Sequence, residues 1–283
     1  MKDYFRQPMG LVLAGGGAFG SWQIAAVHAL ARSGMTFDTV LGVSAGALTG
    51  ASYCLDRMDE ALDRWRGIEN QRMLRLAPRL FPLTFCSGKP LSDFVGKHID
   101  DEHAKRSARC RLVVVSTCLK AGKPIYAVFT PKGKRWDGTL SQHLVASCAI
   151  PTIFPPVKTA YRGELLTLVD GGVPAKEPLS FTELAHCKDV LVIEMLSPAE
   201  KAKRRRGLLQ RLNEGRKHGR NLIDEGLDSL KRLKKPPRLF HLYPSKSLGS
   251  GILSFKSSHI LASIDRGIAD ALTFIAEPER GRL

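Results

Sequence analysis

Residues 11–20 read Leu11-Val12-Leu13-Ala14-Gly15-Gly16-Gly17-Ala18-Phe19-Gly20, and residues 39–46 read Thr39-Val40-Leu41-Gly42-Val43-Ser44-Ala45-Gly46. Leu11–Ala14 is a short continuous apolar run entering a glycine-rich turn, the pattern of a buried strand. From Ser21 to Arg32, Trp22, Ile24, Ala25, Val27 and Leu30 recur at helical spacing, and Gly34 supplies a stop. Thr39–Val43 predicts a second strand. Ser44-Ala45-Gly46 then opens a helix of small residues that runs to about Cys54. Strand, turn, helix, strand, turn, helix is the order of an α/β fold built on a parallel sheet.

The same reading continues outward from this start. Arg57–Leu83 begins as a helix and turns irregular near Pro78 and Pro82, and Leu91–Ile99 is a further helix. Leu112–Cys118 and Ile125–Phe129 are expected strands around the Lys120–Pro124 turn. Leu140–Ala149 is a helix stopped by Pro151, Pro155 and Pro156. Leu165–Val169, Val190–Met195 and Leu239–Tyr243 read as strands, and Ile260–Phe274 as a closing helix. Between them Pro198–Arg238 carries 14 Lys/Arg against five Asp/Glu, with Leu208, Leu209, Leu212, Leu222, Ile223, Leu227, Leu230 and Leu233 at helical spacing. It is expected to be a basic helical insert within one domain spanning 1–283, because a strand pattern resumes after Pro236-Pro237.

The 283 residues are 43% hydrophobic and 25% charged, which excludes collagen-like and wholly disordered chains. The net charge of +16 favours anionic partners, either nucleic acid or a phospholipid surface. No aromatic residue is interleaved with the charges of 198–238, so base stacking there is disfavoured, and an anionic membrane is the expected partner of that segment. Its alternative is a solvated flap. Cys54, Cys86, Cys110, Cys118, Cys148 and Cys187 are scattered without a C-x-x-C pair and are expected to be reduced packing residues. No histidine pair has ligand spacing, and no oxygen-rich loop suits calcium, so neither metal nor cofactor is expected. No run of 18 uncharged apolar residues is present. Lys2 and Arg6 before Leu11–Ala14 mimic a signal peptide, but the apolar run breaks at Gly15. A cytoplasmic protein, peripheral at most to a membrane, is expected.

Three motifs carry chemistry. Gly15–Gly20 lies between a strand and a helix, where backbone N–H groups converge on an anion. It satisfies G-x-G-x-x-G, and Asp38 follows at about the spacing of a ribose-binding acid, so a dinucleotide-dependent oxidoreductase must be weighed. Asp38 precedes the second strand instead of closing it, and a serine occupies the second turn. Gly42-Val43-Ser44-Ala45-Gly46 is G-x-S-x-G at a strand-to-helix bend, which leaves a serine hydroxyl exposed for nucleophilic attack. Its plainer reading makes Ser44 a helix N-cap. Asp170-Gly171-Gly172 ends a strand, on the rim where open α/β sheets build sites. Its plainer reading is a turn.

Together these motifs resemble the patatin-like phospholipase family of serine lipid acyl hydrolases. Ala146-Ser147-Cys148-Ala149-Ile150-Pro151 with Phe154-Pro155-Pro156 resembles that family's block before its catalytic aspartate, and Val173–Pro178 the stretch after it. Order and spacing fit from about residue 9 to residue 275. The resemblance implies a three-layer α/β/α fold with a mostly parallel sheet. It implies a dyad of Ser44 as nucleophile and Asp170 as activating carboxylate, with the N–H groups of Gly15, Gly16 and Gly17 as oxyanion hole and Gly20, Gly42, Gly46, Gly171 and Gly172 supporting the turns. It also implies a lipid or phospholipid substrate. Where that family usually has Arg or Lys, this chain has Phe19, which leaves room for a weakly active or inactive lipid-binding protein on the same fold. A Ser-Asp-His triad through His241 or His259 is the rival mechanism. Phe81, Phe85 and Phe154 are candidate acyl-pocket residues.

Overall fold

The computed structural model describes residues 4–68, 73–173, 175–197, 199–200, 222–249 and 251–283. Ten strands are described: β1 (Met9–Leu13), β2 (Thr39–Val43), β3 (Leu76–Arg79), β4 (Thr84–Cys86), β5 (Arg111–Cys118), β6 (Lys123–Phe129), β7 (Val157–Tyr161), β8 (Glu164–Asp170), β9 (Asp189–Ile193) and β10 (Arg238–Leu242). The α-helices among the described residues are α1 (Gly20–Arg32), α2 (Ala45–Cys54), α3 (Met58–Arg66), α4 (Lys89–His98), α5 (Asp101–Ser107), α6 (Leu140–Ser147), α7 (Leu222–Lys231) and α8 (Ser257–Ala276).

The main sheet runs β10-β9-β1-β2-β5-β8-β7, with β6 also on β5. The pairs from β10 to β5 along this path are parallel, whereas β6, β8 and β7 join antiparallel. Alternation along the buried strands sorts their side chains onto two faces. Leu11 and Leu13 face α1, α2, α3 and α8. Val12 and Ala14 face a second core with Leu179, Phe181 and Leu184, closed by Ile223, Leu227 and Leu230 of α7. The sheet is thus covered on both sides, in three layers. Helix α8 crosses α1 at Gly267, where a Cβ would stand 2.2 Å from the Trp22 carbonyl oxygen, and Asp270 accepts the Trp22 indole N–H at 2.8 Å.

The site depends on one asymmetry of β5. Strand β6 pairs along one edge of β5 from Leu112 to Cys118. The other edge is shared: β2 pairs parallel up to Val43–Val115, and β8 pairs antiparallel from Asp170–Ser116 onward. Two strands therefore arrive head to head, and their C-terminal ends meet beside Val115 and Ser116.

Three expectations are corrected. The helix begun at Arg57 ends at Arg66, and Leu76–Cys86 is a separate antiparallel hairpin. Proline at Pro78 and Pro82 denies those positions an amide N–H and bars a helix interior. Strand β7 and helix α5 were not foreseen, because both are short and partly exposed, with weak periodicity. In the basic segment, residues 198 and 201–221 lie outside the described residues. Ile223, Leu227 and Leu230, three of its apolar residues at helical spacing, are buried against the sheet and are not available to a membrane. Gly226 admits the Phe181 ring, since a Cβ there would stand 2.4 Å from it. All six cysteines are buried with free thiols. Among the described residues, no helix is long and apolar enough to cross a membrane.

Candidate active site

Ser44 is the single residue between β2 and α2. Its φ of 54° and ψ of −126° place a non-glycine residue in a strained conformation. The bend is held by what surrounds it. A Cβ on Gly46 would stand 2.2 Å from the Leu13 carbonyl oxygen, and one on Gly42 2.5 Å from the Gly46 carbonyl oxygen, so only glycine lets α2 approach the strands this closely. The Ser44 N–H donates to the Ser147 hydroxyl at 2.9 Å, and that hydroxyl donates to the Val115 carbonyl at 2.6 Å. The elbow is thereby pinned to β5 through α6. Ser44 also stands at the N-terminus of α2, whose dipole favours negative charge.

Asp170 is the last residue of β8 and is 5% exposed. Its own N–H donates to the Ala149 carbonyl at 2.9 Å, and its carboxylate accepts the Gly172 N–H at 2.7 Å. Burial pushes the carboxyl up to about 6, while the Ser44 hydroxyl and the Gly172 N–H pull the other way. A group that ionises near neutrality is suited to taking a proton. A Cβ on Gly171 would stand 2.4 Å from the Val115 carbonyl oxygen, so the turn after Asp170 lies flat on β5. The same short block, Ser147 to Ala149, therefore holds both the serine bend and the acid. That block was noticed in the sequence, but no role for Ser147 was read there. Its signal was a small polar residue in an otherwise apolar helix end.

The glycine loop leaves β1 beside this pair. Ala14 N–H donates to Ile193 O and Ala18 N–H to Ile252 O. Among the described residues, none accepts the N–H of Gly15, Gly16 or Gly17. Gly17 has φ +55°, and a Cβ on it would stand 2.1 Å from Ile252 O. A Cβ on Gly15 would stand 3.1 Å from the Ser44 Cβ, and one on Gly16 2.6 Å from Met195 Cγ. Gly20 opens α1 against Trp65 and Ala45. The loop thus lies within contact distance of the serine, with donors unspent.

Two cavities meet at Ser44. One is narrow and apolar, about 90 Å³, and lined by residues including Leu48, Trp65, Leu91, Phe94, Phe154 and Phe255. The other is wider, about 340 Å³, and contains Gly15, Gly16, Gly17, Asp170, Gly172 and Glu194. Cys148 lines the apolar one beside Ser44; burial pushes its thiol up, the Asp170 charge adds to this, and the Ser44 hydroxyl offsets part. It stays a protonated thiol. Of the three phenylalanines named as acyl-pocket candidates, Phe154 lines the apolar cavity. Phe81 and Phe85 do not: they are 95% and 50% exposed and line neither cavity. Phe19 is buried and lines the wider cavity. Glu194, which the sequence reading missed, ends up there because it follows β9.

The rival readings lose their geometry. Among the described residues, no histidine lines either cavity at Ser44. His241 lies on β10, 3.0 Å from Glu194 Oε1, and His259 is exposed on α8. The Asp38 carboxylate accepts the Met9 N–H at 2.8 Å, at the opposite end of β1 from the glycine loop, and cannot serve a ribose there.

A serine bend and a buried acid stand together at the strand ends of a doubly covered, mostly parallel sheet, the rim where α/β folds build their sites. The chain belongs to the patatin-like phospholipase family, whose description matches residues 11–181, from β1 past Asp170. The neuropathy target esterase sws of Drosophila sechellia is 38% identical over 172 residues, 58% of this chain. That of Drosophila melanogaster is 36% identical over the same length. The chain spans only 11% of either relative. Among solved structures, VipD from Legionella pneumophila aligns over 96% of this chain and 67% of its own, with 13% identity and a TM-score of 0.41. ExoU of Pseudomonas aeruginosa aligns over 95% and 54%, with 14% identity and a TM-score of 0.39.

Proposed function

We propose that this chain hydrolyses acyl esters of lipids, phospholipids among them, through a Ser44–Asp170 dyad. The observation that carries the reading is the position of Ser44: strained, beside a buried carboxylate and unspent N–H donors, at the junction of an apolar and an open cavity. The acyl chain occupies the apolar cavity and the alcohol portion the wider one. Ser44 Oγ attacks the ester carbonyl carbon while its proton passes to Asp170. The carbonyl oxygen becomes an oxyanion held by the N–H groups of Gly15, Gly16 and Gly17, each such donor being worth about 10²–10³ in rate. Collapse breaks the ester C–O bond, and the leaving alkoxide takes the proton from Asp170. Water then attacks the acyl-enzyme, giving its proton to Asp170. The second collapse frees the fatty acid, and Ser44 regains its proton.

Helix α2 and the buried, raised carboxyl address the main chemical difficulty, which is that an ordinary aspartate near pKa 3.9 is too weak a base for serine. A fluorophosphonate probe tests the proposal. The parent chain should be labelled and Ser44→Ala should not. Labelling that survives Ser44→Ala removes the dyad. No labelling of the parent, with tight lipid binding, makes the chain a lipid-binding protein.

A further inference from the structure

Strands β3 and β4 form a two-stranded sheet outside the main one, and β4 also bridges Thr152. Their hairpin carries five large apolar side chains in ten residues, and all face solvent. Leu76 is 80% exposed, Leu80 81% and Phe81 95%, with Leu83 and Phe85 about half exposed. Scattered exposed apolar residues are ordinary, but a contiguous set marks an interaction surface.

The base of the hairpin is anchored while its tip is free. Phe85 N–H donates to Thr152 O at 2.9 Å and Cys86 N–H to Ile153 O at 2.8 Å, and Thr84 is buried. That partner segment carries Ile150 and Phe154 into the apolar cavity at Ser44. Met73 and Leu74, just before the hairpin, and Leu91 and Phe94, just after it, line the same cavity. The exposed tip is thus the outward continuation of the cavity wall. Its charge is one-sided: residues 73–92 contain Arg75, Arg79 and Lys89 and no carboxylate. Among the described residues, neither Arg75 nor Arg79 forms an ion pair.

We propose that the β3–β4 hairpin is a lipid-surface wedge. Leu80 and Phe81 enter the acyl region of a bilayer containing anionic phospholipid, and the guanidinium groups of Arg75 and Arg79 bind its phosphates. Apolar side chains framed by arginine without acids suit that interface. The inference rests on the reading of Ser44 as the centre of a lipid acyl hydrolase, because it gives the cavity wall a reason to sit at a membrane.

The full chain is sedimented with vesicles of phosphatidylcholine, with and without phosphatidylglycerol. Leu80→Ser/Phe81→Ser should lower partitioning by at least about tenfold. Arg75→Gln and Arg79→Gln should each lower it by about fivefold, on anionic vesicles only. Phe81→Trp should show blue-shifted emission on vesicles. Turnover of a short, water-soluble ester should be unchanged in all of these. Equal partitioning of parent and hairpin variants overturns the wedge, as does an unshifted tryptophan. Loss of a dimer in the hairpin variants, with vesicle binding intact, assigns the surface to a second copy of the chain. Loss of soluble-ester turnover makes the hairpin part of the cavity instead. Ser44→Ala separates the two ideas: it should bind vesicles fully and hydrolyse nothing, and ester turnover surviving in it overturns the dyad without touching the wedge.

Discussion

Asp170 is a carboxylate buried beside the Ser44 hydroxyl. In the unfolded chain its pKa lies near 3.8, and burial raises it to about 6 in the folded one. The folded state therefore binds the proton more tightly. The stabilisation this brings is complete below about pH 4 and lost as the pH rises through about 6. That rise in pKa corresponds to about 3 kcal/mol. Asp170→Asn, whose side-chain carbonyl can still accept the Gly172 N–H, should therefore be more stable than the parent by up to about that amount above pH 6. It should show no advantage below about pH 4. Urea unfolding at the two pH extremes measures the difference, and an equal difference at both refutes it. The proposed dyad makes the same ionisation set activity with the opposite sense: it needs the base form, so kcat/KM should climb through about pH 6 to a plateau, and Asp170→Asn should be inactive throughout.

At the scale of elements, α6 joins the two halves of the site. Its last residue, Ser147, stands between the Ser44 N–H and the Val115 carbonyl, all buried. Ser147→Ala leaves both backbone groups unpaired, at a cost of about 1–3 kcal/mol. Because the bend at Ser44 is strained, loss of its anchor should also lower kcat, by about tenfold to a hundredfold, with little change in KM. Steady-state kinetics beside thermal unfolding separate the two effects. A full stability loss with unchanged kcat would make Ser147 a packing residue alone. The hairpin stands at the other extreme, with a rigid base and a tip that contributes almost nothing to the core.

Across the whole molecule, the outer parallel edge is tied by one buried charge. Asp189, wholly buried at the start of β9, accepts from Arg6 N and Nε and from Arg238 Nε and Nη2 at 2.5–2.9 Å. Burial pushes its carboxyl up, but the bonds from Arg238 and Arg6 outweigh this and hold it below the ordinary value. Its stabilisation is present above about pH 4 and lost as the pH falls further, opposite to Asp170. The partners are partly solvated, so Asp189→Asn should cost about 2–4 kcal/mol. It lies at the far end of β9 from Glu194, so turnover of the folded variant should be unchanged. Denaturant unfolding and soluble-ester kinetics on the same preparation check both halves.

The sequence alone determined the strand-turn-helix order, the serine bend, the glycine loop and the strand-ending acid. Each is a local feature, written in glycines that allow close approach and in apolar runs whose length matches a buried strand. The hairpin was not legible, because Pro78 and Pro82 interrupt its alternation and its apolar side chains face outward, against the usual meaning of such residues. Strand β7 was hidden by its polar edge position. Only the tertiary structure decided that Ser44 and Asp170, 126 positions apart, come together. That meeting follows from β2 and β8 dividing one edge of β5, and such a division is set by hydrogen-bond register and burial across the sheet, which no short stretch of chain encodes.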